Sequence, residues 1–121
     1  MKTELEQNEE LIKKGSANFQ KGIETVGGKL YLTNQRLIFE AHAINFQGGT
    51  TIIDLSNIVS IEKIWTKFLN LVPIMPNSLA VHAKLYTGSQ HVEAFKFVLF
   101  GRSAWEIIIN ENIQTSTKTG V

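Results

Sequence analysis

No cysteine occurs in the 121 residues, which excludes disulfides, thiol nucleophiles and cysteine-based zinc fingers and fits a reducing compartment. Charge of one sign is also missing. Twelve basic residues face eleven acidic ones, a formal +1, so no global field draws the chain to nucleic acid or to an acidic surface. Any such attraction must come from a local patch. Only two prolines are present, Pro73 and Pro76, and both fall in the most apolar stretch, "WTKFLNLVPIMPN" from Trp65 to Asn77. No apolar run reaches the ~20 residues that a bilayer-crossing helix needs, and the prolines would break this one. The N-terminal "MKTELEQNEELIKK" has no apolar core of the kind a signal peptide requires. The expected location is cytoplasmic, peripheral to a membrane.

The composition, 43% hydrophobic and 19% charged, is that of an ordinary globular protein. A chain of this length buries about two-thirds of its unfolded surface. We expect a single domain over residues 9–113, an N-terminal extension over 1–8 and a disordered tail over 114–121. Asn8, Glu9 and Glu10 ahead of Lys13, Lys14 and Gly15 predict a short helix over Glu9 to Lys14, by cap, charge and stop signals. From Ala17 to Phe100 the pattern changes to short Ile, Val, Phe and Tyr runs between Gly, Asn, Ser and Pro clusters, which predicts antiparallel strands.

In "GGKLYLTNQRLIFEAH" a two-residue turn at Asn34 and Gln35 places Leu32 opposite Leu37, Leu30 opposite Phe39 and Lys29 opposite Glu40. In the second hairpin, around "TGSQ", the simplest register sets Lys84 against Glu93 and His91 against Tyr86, with a bulge near Ala94. Strands are also expected in "TTIIDLS" and "IVSIEKIW", joined at Ser56 and Asn57. "SAWE" reads as a capping box with Ser103 as the cap. Trp105, Ile108, Ile109 and Ile113 then form a helical stripe that must owe its stability to packing, since Ile107 to Ile109 are β-branched.

Catalytic patterns fail one by one. "IETVGGKL" lacks the glycine at Ile23 and the hydroxyl at Leu30 that a phosphate-binding loop needs. His42, His82 and His91 have no partner at metal-ligand spacing, so no metal and no cofactor is expected. No G-x-S-x-G elbow occurs, and the single aspartate, Asp54, suits turn chemistry. The lysines are dispersed, which argues against nucleic acid. The chain is not expected to be an enzyme.

Gly28, Leu30, Tyr31, Leu32, Thr33, Asn34, Arg36, Leu37 and Phe39, with Ala17 and Asn18 ahead and "IIDLSNIVSIEK" and "FKFVLFGRSAWEIII" behind, resemble the GRAM domain family, a branch of the pleckstrin-homology-like superfamily. The resemblance implies a mainly β fold with a terminal helix: a barrel of about seven antiparallel strands in two bent sheets, capped by the C-terminal helix. It also implies a non-catalytic module that binds membrane lipids, phosphoinositides among them, or protein partners. Pleckstrin-homology lipid sites gather Lys and Arg around the first two strands and the loop joining them, where this chain offers Lys21, Lys29 and Lys14.

The remaining question is the apolar stretch, expected to connect a strand ending near Trp65 to one starting at Ser78. One reading is peripheral association with anionic lipid, with Phe68, Leu69, Leu71, Val72, Ile74 and Met75 entering the interface and Lys63 and Lys67 meeting headgroups. The alternative is protein interaction or homo-oligomerisation through the same 66–77 loop. A third reading folds the loop over the barrel mouth, with Trp65, Phe68 and Leu71 completing the core.

Overall fold

Period-two alternation decides which side each strand buries. Leu30, Leu32, Leu37 and Phe39 face one side with Ala17, Phe19, Leu79, Val81, Phe97 and Leu99, and all are buried in one core. The computed structural model describes residues 1–21, 24–42, 49–68 and 72–119. Its strands are β1 (Leu11–Lys21), β2 (Glu24–Thr33), β3 (Arg36–Ala41), β4 (Thr50–Asp54), β5 (Ile58–Phe68), β6 (Val72–Lys84) and β7 (Val92–Leu99). A 3-10 turn, Leu55–Asn57, joins β4 to β5, and helix α1 (Arg102–Thr119) follows β7.

The seven strands form one antiparallel sheet in the order β4-β3-β2-β1-β7-β6-β5. This differs from two separate sheets: β1 pairs with both β2 and β7, and the sheet stays open between β4 and β5. Phe19 sits at the centre, its ring 4.9 Å from that of Phe97 and 5.5 Å from that of Phe39. Trp105 and Ile109 of α1 close this core, and α1 packs on β5, β6 and the 3-10 turn. Gly28 is where bulk is forbidden: a Cβ there would lie 2.2 Å from the Glu40 carbonyl and 2.7 Å from the Phe39 ring.

The β2–β3 hairpin has the expected register, Leu32 to Leu37, Leu30 to Phe39 and Lys29 to Glu40. The Glu40 carboxylate, however, accepts from the Lys2 and Thr3 amides and from the Thr3 hydroxyl at 2.7 Å. The β6–β7 hairpin differs by one residue. Ala83 faces Glu93 and Lys84 faces Val92, with no register shift, so no bulge forms near Ala94. Val92 is exposed on the outer face while Phe95 and Phe97 point inward, which removes the conflict that a bulge would have solved. His91 precedes β7 and is exposed beside Glu93.

No helix forms over Glu9 to Lys14. β1 starts at Leu11 and pairs with β2 along its whole length, and this tertiary pairing overrides the local helix signals. Glu9 is instead buried. Its carboxylate accepts from Arg36 Nη2 at 2.6 Å, from Arg36 Nε at 2.8 Å and from the Thr33 hydroxyl at 2.5 Å. Arg36 also donates to the Glu4 carbonyl, and the Gln35 amide to that of Gln7. Residues 1–10 thus strap the outer face of β2 and β3, and Tyr31 and Ile38, which point away from the core, are buried as well.

The Arg36 hydrogen bonds, assisted by Thr33, hold the Glu9 carboxyl down at about 2 against the cost of burial, and the same contact raises Arg36. Burial pushes Glu40 up, but the Lys2 and Thr3 donors outweigh it and leave Glu40 below the ordinary value. At the other end of the chain α1 starts at Arg102, after Gly101 at φ 68, and the Trp105 amide donates to the Gly101 carbonyl. Ser103 therefore lies inside the first turn rather than at the cap. The stripe Trp105, Ile108, Ile109 and Ile113 packs on the core as expected, and the helix continues to Thr119, past the residue at which the tail was expected to begin.

Candidate binding surface

β7 is shorter than both of its neighbours. It covers β1 from Ala17 to Gln20 and β6 from Ser78 to Lys84. Beyond Leu99, among the described residues, Leu11 to Ser16 pair with β2 alone and Val72 to Asn77 with β5 alone. Pro73 and Pro76 lie in that stretch of β6, where a missing N–H costs no bond to β7. The described residues of the segment expected to be a loop therefore belong to the paired ends of β5 and β6, with register shifts at Ile64 to Lys67 and a Thr66 hydroxyl bonded to Asn77 and Ser78.

Where β7 stops, a groove of about 410 Å³ opens between β1 and β6, lined by Ser16, Asn18, Met75, Asn77 and Phe100 among others. Phe100 is 95% exposed, Met75 53% and Trp65 50%. Trp65 is thus not part of the core, contrary to the lid reading.

Cations gather at the start of α1, two residues beyond Phe100. Arg102 Nη1 donates to the Ile64 carbonyl at 2.6 Å, Lys63 Nζ lies 3.4 Å from the Ser103 hydroxyl, and Lys13 Nζ sits 5.1 Å above the Trp105 ring. All three surround the first turn of α1, which carries no acidic residue. The helix N-terminus adds its own partial positive charge there.

Of the residues expected at the site, Met75 and Lys63 lie on this surface. Lys29 is exposed on the far side of β1, paired in register with Ser16 of the groove. Leu69 and Leu71 fall outside the described residues. Lys21, Lys67, Phe68, Val72 and Ile74 have strand backbones, and their side chains fall outside the description. Sequence reasoning missed Phe100, Lys13 and Arg102. The available signal was Leu99 followed by Phe100 and Gly101, a second apolar residue that breaks the alternation just where β7 ends.

Among the described residues no group of three histidines or acids stands at metal-binding distance, and no helix is long and apolar enough to cross a membrane.

A seven-stranded antiparallel sheet closed by one C-terminal helix defines a PH-like domain, and solved structures share it. The N-terminal PH domain of Vps36 superposes with a TM-score of 0.65 at 16% identity, covering 94% of this chain and 86% of that one. The hSac2 domain from human phosphoinositide phosphatase Sac2 gives 0.66 at 13%, covering 97% and 76%. The DH/PH domains of PDZ-RhoGEF, in complex with activated RhoA, give 0.63 at 11%, covering 89% and 30%. At these identities the likeness shows the fold. The GRAM domain profile matches residues 1–108, and the chain belongs to the GRAM domain family. A search of curated protein sequences finds no match.

Proposed function

We propose that this GRAM domain is a non-catalytic binding module that seats the β5–β6 hairpin and the end of β7 on an anionic membrane surface. One observation carries the reading: Phe100 and Met75 are exposed along one groove, and Lys13, Lys63 and Arg102 surround the start of α1, two residues beyond Phe100. An exposed aromatic costs nothing to withdraw from the core and gains on entering the acyl boundary, while the rim meets anionic headgroups. The apolar sequence from Phe68 to Met75 suits the same contact.

Co-sedimentation with phosphatidylglycerol vesicles at low and high salt tests this. Binding that weakens with salt and falls about tenfold in Phe100→Ser supports it; vesicles that leave the protein in solution at low salt sink it. A second reading is supported by the unpaired flanks of β1 and β6, which offer strand edges to a partner protein or a second copy. A mass above 13.6 kDa by light scattering without lipid would favour self-association.

A further inference from the structure

A second cavity, of about 320 Å³, lies on the outer face across β1, β7, β6 and β5. Strand register sets Gln20, Lys96, Ala80 and Glu62 in one row, and His82 and Ala94 in the next but one. The floor is two methyl groups, Ala80 and Ala94. One bank carries Lys96 and Gln20, and the other Glu62, Ile64 and Trp65.

The two strand spacings between β7 and β5 put the Lys96 and Glu62 backbones roughly 10 Å apart. With only Ala80 between them, their charges face each other across the cavity, and no ion pair joins them among the described residues. Glu62 is aimed by His82, whose Nε2 lies 2.9 Å from Oε1. The half-exposed Trp65 indole stands on the same strand as Glu62, and an aromatic face beside a carboxylate is favourable to an ammonium. A simple anion would meet Glu62 and a simple cation would meet Lys96; a ligand that carries both charges satisfies both.

We propose that this cavity binds a phospho-amine, a phosphate joined to an ammonium by a short spacer as in phosphoethanolamine or phosphocholine. Lys96 and Gln20 donate to the phosphate, and Glu62 and Trp65 receive the ammonium. His82 is a positioning residue. The ligand arrives either as a lipid headgroup or as the free compound. This goes beyond docking on an anionic surface, because the cavity asks for a dipole and not for net charge.

The full chain is titrated with phosphoethanolamine, inorganic phosphate and ethanolamine at constant ionic strength, read by Trp65 fluorescence and by the NMR amide shifts of Ala80 and Ala94. Trp105 is only 3% exposed and supplies a constant background, and Trp65→Phe removes the optical signal while leaving the NMR readout. Saturable binding of phosphoethanolamine about tenfold tighter than either half, weakened in both Lys96→Gln and Glu62→Gln, is the expected result. Equal affinity for inorganic phosphate, or shifts that do not saturate, overturns it.

Vesicles of phosphatidylglycerol with and without phosphatidylethanolamine then separate the sources. Tighter binding to the mixed vesicles identifies the lipid, and unchanged vesicle binding with retained affinity for free phosphoethanolamine identifies the soluble compound. Glu62→Gln should leave association with pure phosphatidylglycerol intact, whereas Phe100→Ser should weaken it about tenfold, so the two proposals fail separately.

Discussion

The strapped face of β2 and β3 and the open end of the β5–β6 hairpin treat polarity in opposite ways. At the first, charged groups are buried: Glu9 is fully covered and bonded to Arg36, and Glu40 is held by the Lys2 and Thr3 amides. At the second, apolar groups are exposed, Phe100 most of all. A buried charge persists only where every partner is supplied, so the first region is committed to holding the chain together. An exposed aromatic contributes little to its own fold, which leaves the second region free to act on something else.

Breaking the buried pair should have the largest effect. Glu9→Gln or Arg36→Met is expected to cost about 3–5 kcal/mol, because each leaves a partner buried and uncompensated. Urea unfolding measures this, and a loss below about 1 kcal/mol would show that the strap is dispensable.

Acid should do the same work more gradually. Because the folded Glu9 carboxyl sits at about 2, below its unfolded value, its contribution is complete above roughly pH 4.5 and disappears as pH falls toward 2. That contribution is about 3 kcal/mol, and Glu9→Gln should flatten the stability profile across this window. A variant with the same acid slope as the parent would place the slope elsewhere.

Gly28→Ala should follow, at about 2 kcal/mol or more, since the added Cβ meets backbone and a packed ring with nowhere to move. Thermal melting is sufficient to see it. The smallest stability change belongs to the other region. Phe100→Ser should alter unfolding by less than about 0.5 kcal/mol and still lower vesicle affinity about tenfold, as expected for one aromatic withdrawn from an interface. A destabilised Phe100→Ser would erase the contrast between the two regions. Leu71→Ser together with Ile74→Ser extends the test to the apolar 66–77 sequence, with vesicle binding again reduced at unchanged stability.

How much of this was legible differs between the same two regions. The β2–β3 register followed from a two-residue turn and strict alternation, because both signals are local and agree. The Glu9–Arg36 pair spans 27 residues and left no trace in periodicity; the acids near it suggested a helix that β1 pairing excludes. At the hairpin, two prolines in an apolar stretch pointed to a connection, because a strand with partners on both sides cannot hold them. Only the shortness of β7 makes them admissible.

The pairing of Lys84 was misplaced by one residue for a related reason. A turn without a fixed two-residue geometry leaves the register to side-chain packing, and packing turned Val92 outward. The nearness of Lys63 to the apolar stretch in sequence points to it as a headgroup ligand, while the other cations around the start of α1, Arg102 and Lys13, come from distant parts of the chain.

By itself the sequence determined the fold class, the signature hairpin, the amphipathic helix and the family, since these rest on local periodicity and on short motifs. Tertiary structure decided where β7 ends, and with it the groove, the exposure of Phe100 and the acceptance of Pro73 and Pro76. It also decided which charges are buried and which face each other across Ala80. Those outcomes depend on which strands become neighbours, a long-range pairing that no window of sequence contains.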